Sequence, residues 1–206
     1  PADAFNGLVF KGGAFELGIF LNWAITQTRL NLPHLASGTE KNRLEGLLSK
    51  AEENMDAWYE YLPLAEMPLL KGLANWYYDW LNQPTDGPFW YPISPNKRYA
   101  QVNVPVCHLG GWFDTFQQGT IDNFTGMSRA ARTQHTRDSQ KMIMGPWEHG
   151  PPSAHKTTVG EFDFGQDAGR DFNELRLPWY DYWVQGIENG VMDEPPVSYF
   201  TMGINE

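Results

Sequence analysis

Residues 140–150, QKMIMGPWEHG, set a short apolar run directly before a Gly-Pro break, a tryptophan, a glutamate and a histidine. An unbroken apolar run of this length, closed by a turn signal, suits a strand buried on both faces. A second run of the same kind, VNVPVCHLGG (102–111), ends in a Gly-rich turn and continues as WFDTF (112–116). Residues 117–132 between the two runs read as a helix. A further helix is expected over 170–185, with Phe172, Leu175, Trp179 and Trp183 on one stripe, Gly186 as its stop and Pro178 as a kink. Strand, helix, strand, helix is the rhythm of a parallel α/β sheet, and two strands are too few to complete one.

The first ninety residues have a different character. GGAFELGIFLNWAITQTRL (12–30) predicts a helix entered through a Gly-Gly turn, apolar on nearly every side and therefore deeply packed, with a loop at Pro33. Thr39 is an expected N-cap, helped by Glu40 in the first turn. Leu44, Leu47, Leu48, Ala51, Met55, Trp58 and Leu62 then form one stripe at helical period, which Pro63 ends. PLLKGLANWYYDWL (68–81) predicts a third helix, and the proline-rich stretch 82–97 an irregular connector. VSYFTMG (197–203), after the break DEPP (193–196), reads as a last β-like run that opens another module.

Composition narrows the function. With 25 Asp and Glu against 15 Lys and Arg, the net charge of −10 argues against phosphate neutralisation on nucleic acid and against an anionic membrane surface. No run of about 18 apolar residues is present to span a bilayer. Cys107 is the single cysteine, so no internal disulfide forms, and its β-like setting makes it a small buried hydrophobe rather than a nucleophile. The five histidines lack metal-ligand spacing, so neither a metal nor another cofactor is expected. The chain opens on Pro1-Ala2-Asp3 without an initiator Met, and is expected to be part of something longer.

In an open parallel sheet, ligands gather at the carboxyl ends of the strands. There the two runs offer one group each for proton chemistry, Asp114 and His149. Neighbouring strands would bring both within reach, and a carboxylate on one imidazole nitrogen fixes the tautomer and stabilises the imidazolium. The order carboxylate-then-histidine is that of an α/β-hydrolase triad. Trp112 and Trp147 lie beside them and could exclude water from a substrate. Two plainer readings stay open: an Asp after a Gly-rich turn often caps the next helix, and a loop histidine can be structural.

PVCHLGGWFDTFQQGTIDNF, KMIMGPWEHG, LPWYDYWVQG and VSYFTMGINE together resemble the X-Pro dipeptidyl-peptidase-like, bacterial cocaine esterase-type serine hydrolases. That group also takes in α-amino acid ester hydrolases and glutaryl acylases. The similarity extends upstream to GGAFELG…W and NQPTDGPFW, and so covers nearly the whole chain. It implies that Asp114 is the triad carboxylate and His149 the general base, that Phe116 and Trp112 line the substrate site, and that Trp23 is a pocket candidate on a cap helix. The family's G-x-S-Y-x-G-like nucleophile elbow is absent from the chain. Ser128 in TGMSRA is no substitute, because it lies in a helix and lacks the second glycine.

The resemblance implies an α/β class: the C-terminal part of an α/β-hydrolase fold with an all-helical cap, stopping as a β jelly-roll begins. The expected divisions are 1–95 for the cap with its entry and exit, 96–190 for the hydrolase half-domain, and 191–206 for the start of the jelly-roll. The expected activity is hydrolysis of small esters, amides or X-Pro peptides through a Ser-His-Asp triad whose Ser lies outside the chain, which leaves the chain alone inactive. The alternatives are a carbohydrate-binding or glycosidase-like module, motivated by nine Trp and many carboxylates, and a non-catalytic interaction fragment. Partners would be a small ester, amide or short peptide, and another copy of the chain through exposed sheet edges, with no nucleic acid or membrane. The compartment is not encoded, with the cytoplasm slightly favoured.

Overall fold

The computed structural model describes residues 1–203 and divides into two compact units, Leu8–Trp90 and Pro1–Gly7 with Tyr91 onward.

The first unit opens with a hairpin, β1 (Phe10–Lys11) against β2 (Ala14–Phe15), turned by Gly12 and Gly13 at φ +58° and +86°. The expected helix over 12–30 therefore starts late, because two left-handed glycines reverse the chain first. It becomes α1 (Leu17–Leu35) and runs through Pro33, where a proline in the last turn removes only one carbonyl's partner. Its burial is one-sided rather than all-round: Phe20, Leu21, Ala24, Ile25 and Leu32 are inside, whereas Leu30 and Leu35 face out.

Ser37, not Thr39, occupies the N-cap position of α2 (Gly38–Glu53), and no side chain caps it. The long stripe breaks at Asn54, whose backbone leaves the helical region, and resumes as α3 (Met55–Tyr59); Leu62 is exposed. The third helix shrinks to α4 (Asn75–Leu81) because Gly72 takes φ +77°, closed to an α-helix. Leu21, Ile25, Leu44, Leu48, Leu70 and Tyr77 form one core.

The second unit carries the sheet. Its strands are β3 (Val106–Gly111) and β4 (Gln140–Gly145), parallel and in register from Val106↔Gln140 to Gly111↔Gly145. α5 (Gln117–Ala130) and the short α6 (Gln134–Asp138) connect them. A small hairpin, β5 (Thr158–Val159) with β6 (Phe162–Asp163), follows β4 and had no clear sequence signal. α7 (Phe172–Gln185) is capped by the Asp171 carboxylate on the Asn173 N–H at 2.7 Å, runs unbroken through Pro178, and ends at left-handed Gly186.

β7 (Val197–Tyr199) then pairs parallel to β4, giving the order β3-β4-β7. The chain stays in this sheet through Tyr199, past the boundary at 191 that the sequence reading gave to a new module. Residues 204–206, the last three of the VSYFTMGINE stretch, lie outside the described residues. Residues 1–7 also belong to this unit, and Ala4 N–H donates to Ser94 Oγ at 3.0 Å.

β4 is the middle strand and is buried along most of its length, which is why its sequence carries no alternation. Its two polar side chains are paired. Lys141 donates to the Val191 carbonyl at 2.9 Å and to the Glu194 carboxylate. Gln140 accepts at 3.0 Å from buried His108, whose pKa burial pushes down, and donates to the Thr136 carbonyl at 2.7 Å. No helix among the described residues is long and apolar enough to cross a membrane.

Candidate active site

Parallel register brings Gly111 opposite Gly145, so the segments leaving both strands start side by side. They are then zipped by backbone: Trp112 N–H donates to Gly145 O at 2.8 Å and Phe113 N–H to Trp147 O at 3.0 Å. This needs glycine at both strand ends. A Cβ on Gly111 would lie 2.0 Å from the Trp147 carbonyl oxygen, and one on Gly145 would lie 2.2 Å from the Trp147 ring. The indole itself is buried and donates to Ala168 O at 2.7 Å. The Gly-Gly-Trp and Gly-Pro-Trp runs are thus two sides of one crossing.

Past the crossing, Asp114 and His149 meet. Imidazole Nδ1 lies 3.0 Å from Asp114 Oδ2 and 3.1 Å from Oδ1. A carboxylate only accepts, so Nδ1 is the donor and Nε2 of the neutral ring keeps its lone pair. The two side chains are unequally sheltered: Asp114 is 12% exposed and His149 62%. Asp114 Oδ1 also accepts from Phe116 N–H at 2.7 Å. The helix-entry role and the imidazole-orienting role therefore coexist in one carboxylate.

Phe116 stands perpendicular to the imidazole with ring centroids 4.9 Å apart. Beneath the pair is a cavity of about 200 Å³, lined among others by Leu109, Gly111, Trp147 and Phe172. The arrangement can take a proton at Nε2 and stabilise the resulting imidazolium through Nδ1.

The other candidates lie elsewhere. Trp112 turns away from the cavity and donates its indole N–H to Phe200 O at 2.7 Å, with its ring edge-on to Tyr199. Trp23 belongs to the helical unit, 43% exposed, packed against Trp76 and Trp80 with centroids 5.0 and 5.9 Å away. Cys107 is half-buried, and burial raises its thiol to about 11, which removes it as a nucleophile. Among the described residues, no three His, Cys, Asp or Glu side chains converge as a metal site. Sequence reading missed Ser153, which is buried beside the His149 loop; its signal was the preceding Pro151-Pro152.

With this geometry in hand, comparison with known proteins is specific. The family model described as X-Pro dipeptidyl-peptidase (S15 family) matches residues 1–151. Cocaine esterase from Rhodococcus sp. (strain MB1 Bresler) is 26% identical over 148 residues, covering 70% of this chain and 24% of the relative. Among solved structures, an aminopeptidase from a marine-sediment Thaumarchaeota archaeon superposes with a TM-score of 0.59 at 18% identity. That match covers 98% of this chain and 32% of the neighbour, and is a likeness of fold. The match thus spans about a quarter of the Rhodococcus relative and a third of the archaeal neighbour.

Proposed function

This chain belongs to the X-Pro dipeptidyl-peptidase (S15) family, and we propose that it supplies the base and the carboxylate of a Ser-His-Asp triad in a longer hydrolase of small esters, amides or short peptides. The carrying observation is the Asp114 carboxylate on His149 Nδ1 with an exposed imidazole beyond it. The serine comes from a segment outside these 206 residues. Its hydroxyl oxygen attacks the substrate carbonyl while its proton passes to His149 Nε2. Asp114 holds the imidazolium, which then returns the proton to the departing alcohol or amine. Water, deprotonated by the same Nε2, attacks the acyl-enzyme, and the serine leaves with that proton. The Rhodococcus relative is named for an ester and the archaeal neighbour for a peptide bond; both are acyl transfer at a carbonyl, which one triad serves.

Residues 96–199 act here as the C-terminal half of an α/β-hydrolase domain and residues 8–90 as its helical cap, with a jelly-roll domain beyond. Supporting this, β3 has β4 on one side and no described strand on the other. Along that edge runs a groove of about 490 Å³ lined by Val106, Leu109, Phe172 and Trp179, suited to the strands that bear the nucleophile. Phe116 packs on the acyl or leaving group. Trp23 is a cap contact to substrate, and Trp112 supports the loop from its outer side. A carbohydrate-binding role has less to draw on, since Trp90, Trp147 and Trp179 are buried and Trp23, Trp76 and Trp80 pack on one another.

Assay of the 206-residue chain alone with a p-nitrophenyl ester tests this directly. The expected result is turnover no faster than buffer with free imidazole. Turnover well above that, abolished by His149→Ala, would mean that the chain carries its own nucleophile.

A further inference from the structure

The His149 loop continues Gly150-Pro151-Pro152-Ser153. Two successive prolines have no N–H, so neither can close the turn by bonding back to the carbonyls before them. Residue 153 does that work alone among the described residues. Ser153 Oγ lies 2.7 Å from Glu148 O and 2.7 Å from Gly150 O, and Ser153 N–H donates to Gly150 O at 3.1 Å. The side chain is 6% exposed, so water does not readily replace it. The single hydroxyl proton is shared between the carbonyls of the two residues that flank His149, Glu148 and Gly150, and Gly150 O has the Ser153 N–H as well. Upstream, Phe113 N–H holds the loop at Trp147 O, and the Lys156 contact to the Glu148 carboxylate at 3.0 Å joins two exposed side chains that cannot hold the backbone in place of Ser153.

We propose that Ser153 is a positioning residue: its hydroxyl clasps the His149 loop and so holds the imidazole against Asp114. The catalytic consequence rests on the triad reading above, whereas the positional one does not. Ser153 also lines the cavity under the pair, so loss of its hydroxyl takes the donor from Glu148 O, leaves Gly150 O only the Ser153 N–H, and opens space beneath the loop.

The test has two readouts. In this chain, labelled with ¹⁵N-histidine, the His149 ring should report a single tautomer with Nδ1 protonated. Ser153→Ala should shift that signal toward the mixed tautomers of free imidazole, and Ser153→Thr should keep it. Ser153→Cys, similar in volume but a weak donor, should shift it as Ala does, and guards against an Ala variant that fails to fold. In the longer hydrolase, kcat should fall roughly 10- to 100-fold for Ala, with KM little changed and activity restored by Thr. An Ala or Cys variant with the wild-type ring signal, or a Thr variant shifted as far as Ala, would overturn the clasp. A wild-type hydrolase without ester turnover would sink the triad reading and leave the ring result to stand.

Discussion

In the nucleophile-bearing protein, His149→Ala lowers kcat against a p-nitrophenyl ester by on the order of 10⁴- to 10⁶-fold, and Asp114→Asn by roughly 10⁴-fold. The first removes the group proposed to accept the serine proton. The second is the more discriminating. Asn keeps an oxygen for the Phe116 N–H, which Asp114 now serves at 2.7 Å, so the helix entry survives. It also offers an amide NH₂ toward Nδ1, and an imidazole that accepts there carries its proton on Nε2, where it cannot act as base. Were Asp114 only a cap, Asn would be nearly silent, because Asn caps as well as Asp. Steady-state kinetics on both variants, with circular dichroism to confirm folding, separates the two roles.

Gly111→Ala has the second largest expected effect, and it acts through backbone rather than chemistry. The added Cβ would meet the Trp147 carbonyl oxygen at 2.0 Å, and a main-chain atom in a buried crossing cannot swing aside. The strand ends must part, which breaks the Phe113 N–H bond to Trp147 O and separates Asp114 from His149. A loss of roughly 3 kcal/mol or more in folding stability is expected, together with most of the activity. Gly46→Ala is the control. No atom lies within 4 Å of its Cβ position on α2, so it should gain up to about 1 kcal/mol through helix propensity. Urea midpoints of the two variants should move in opposite directions; a Gly111→Ala protein as stable as wild type would mean that the crossing is loose.

How much of this was legible in the sequence depended on which forces set each element. β4 was readable over 140–145 because a strand buried on both faces must be apolar throughout, and the Gly-Pro that ends it is a local signal. The Asp114–His149 pairing followed from strand adjacency, since parallel register sets the segments leaving β3 and β4 side by side. The helical half was misjudged where backbone conformation overrode side-chain pattern. Gly12, Gly13 and Gly72 take positive φ, and each displaced a helix start that apolar periodicity alone supports.

The direction of a loop side chain was beyond sequence. Trp112 sits two residues before Asp114, yet its indole is claimed by Phe200 O. Ser153 was only half legible, for a related reason. The prolines announce missing donors, but only the folded loop says which carbonyls need one.

The measurement closest to the central claim is fluorophosphonate labelling of the longer protein, with the modified residue located by mass spectrometry. The expected label falls on a serine upstream of Pro1, is lost in His149→Ala and is weakened in Asp114→Asn, while the 206-residue chain alone takes none. A label within these 206 residues would contradict a triad completed from outside, and no label in a folded wild-type protein would return Asp114 and His149 to structural roles.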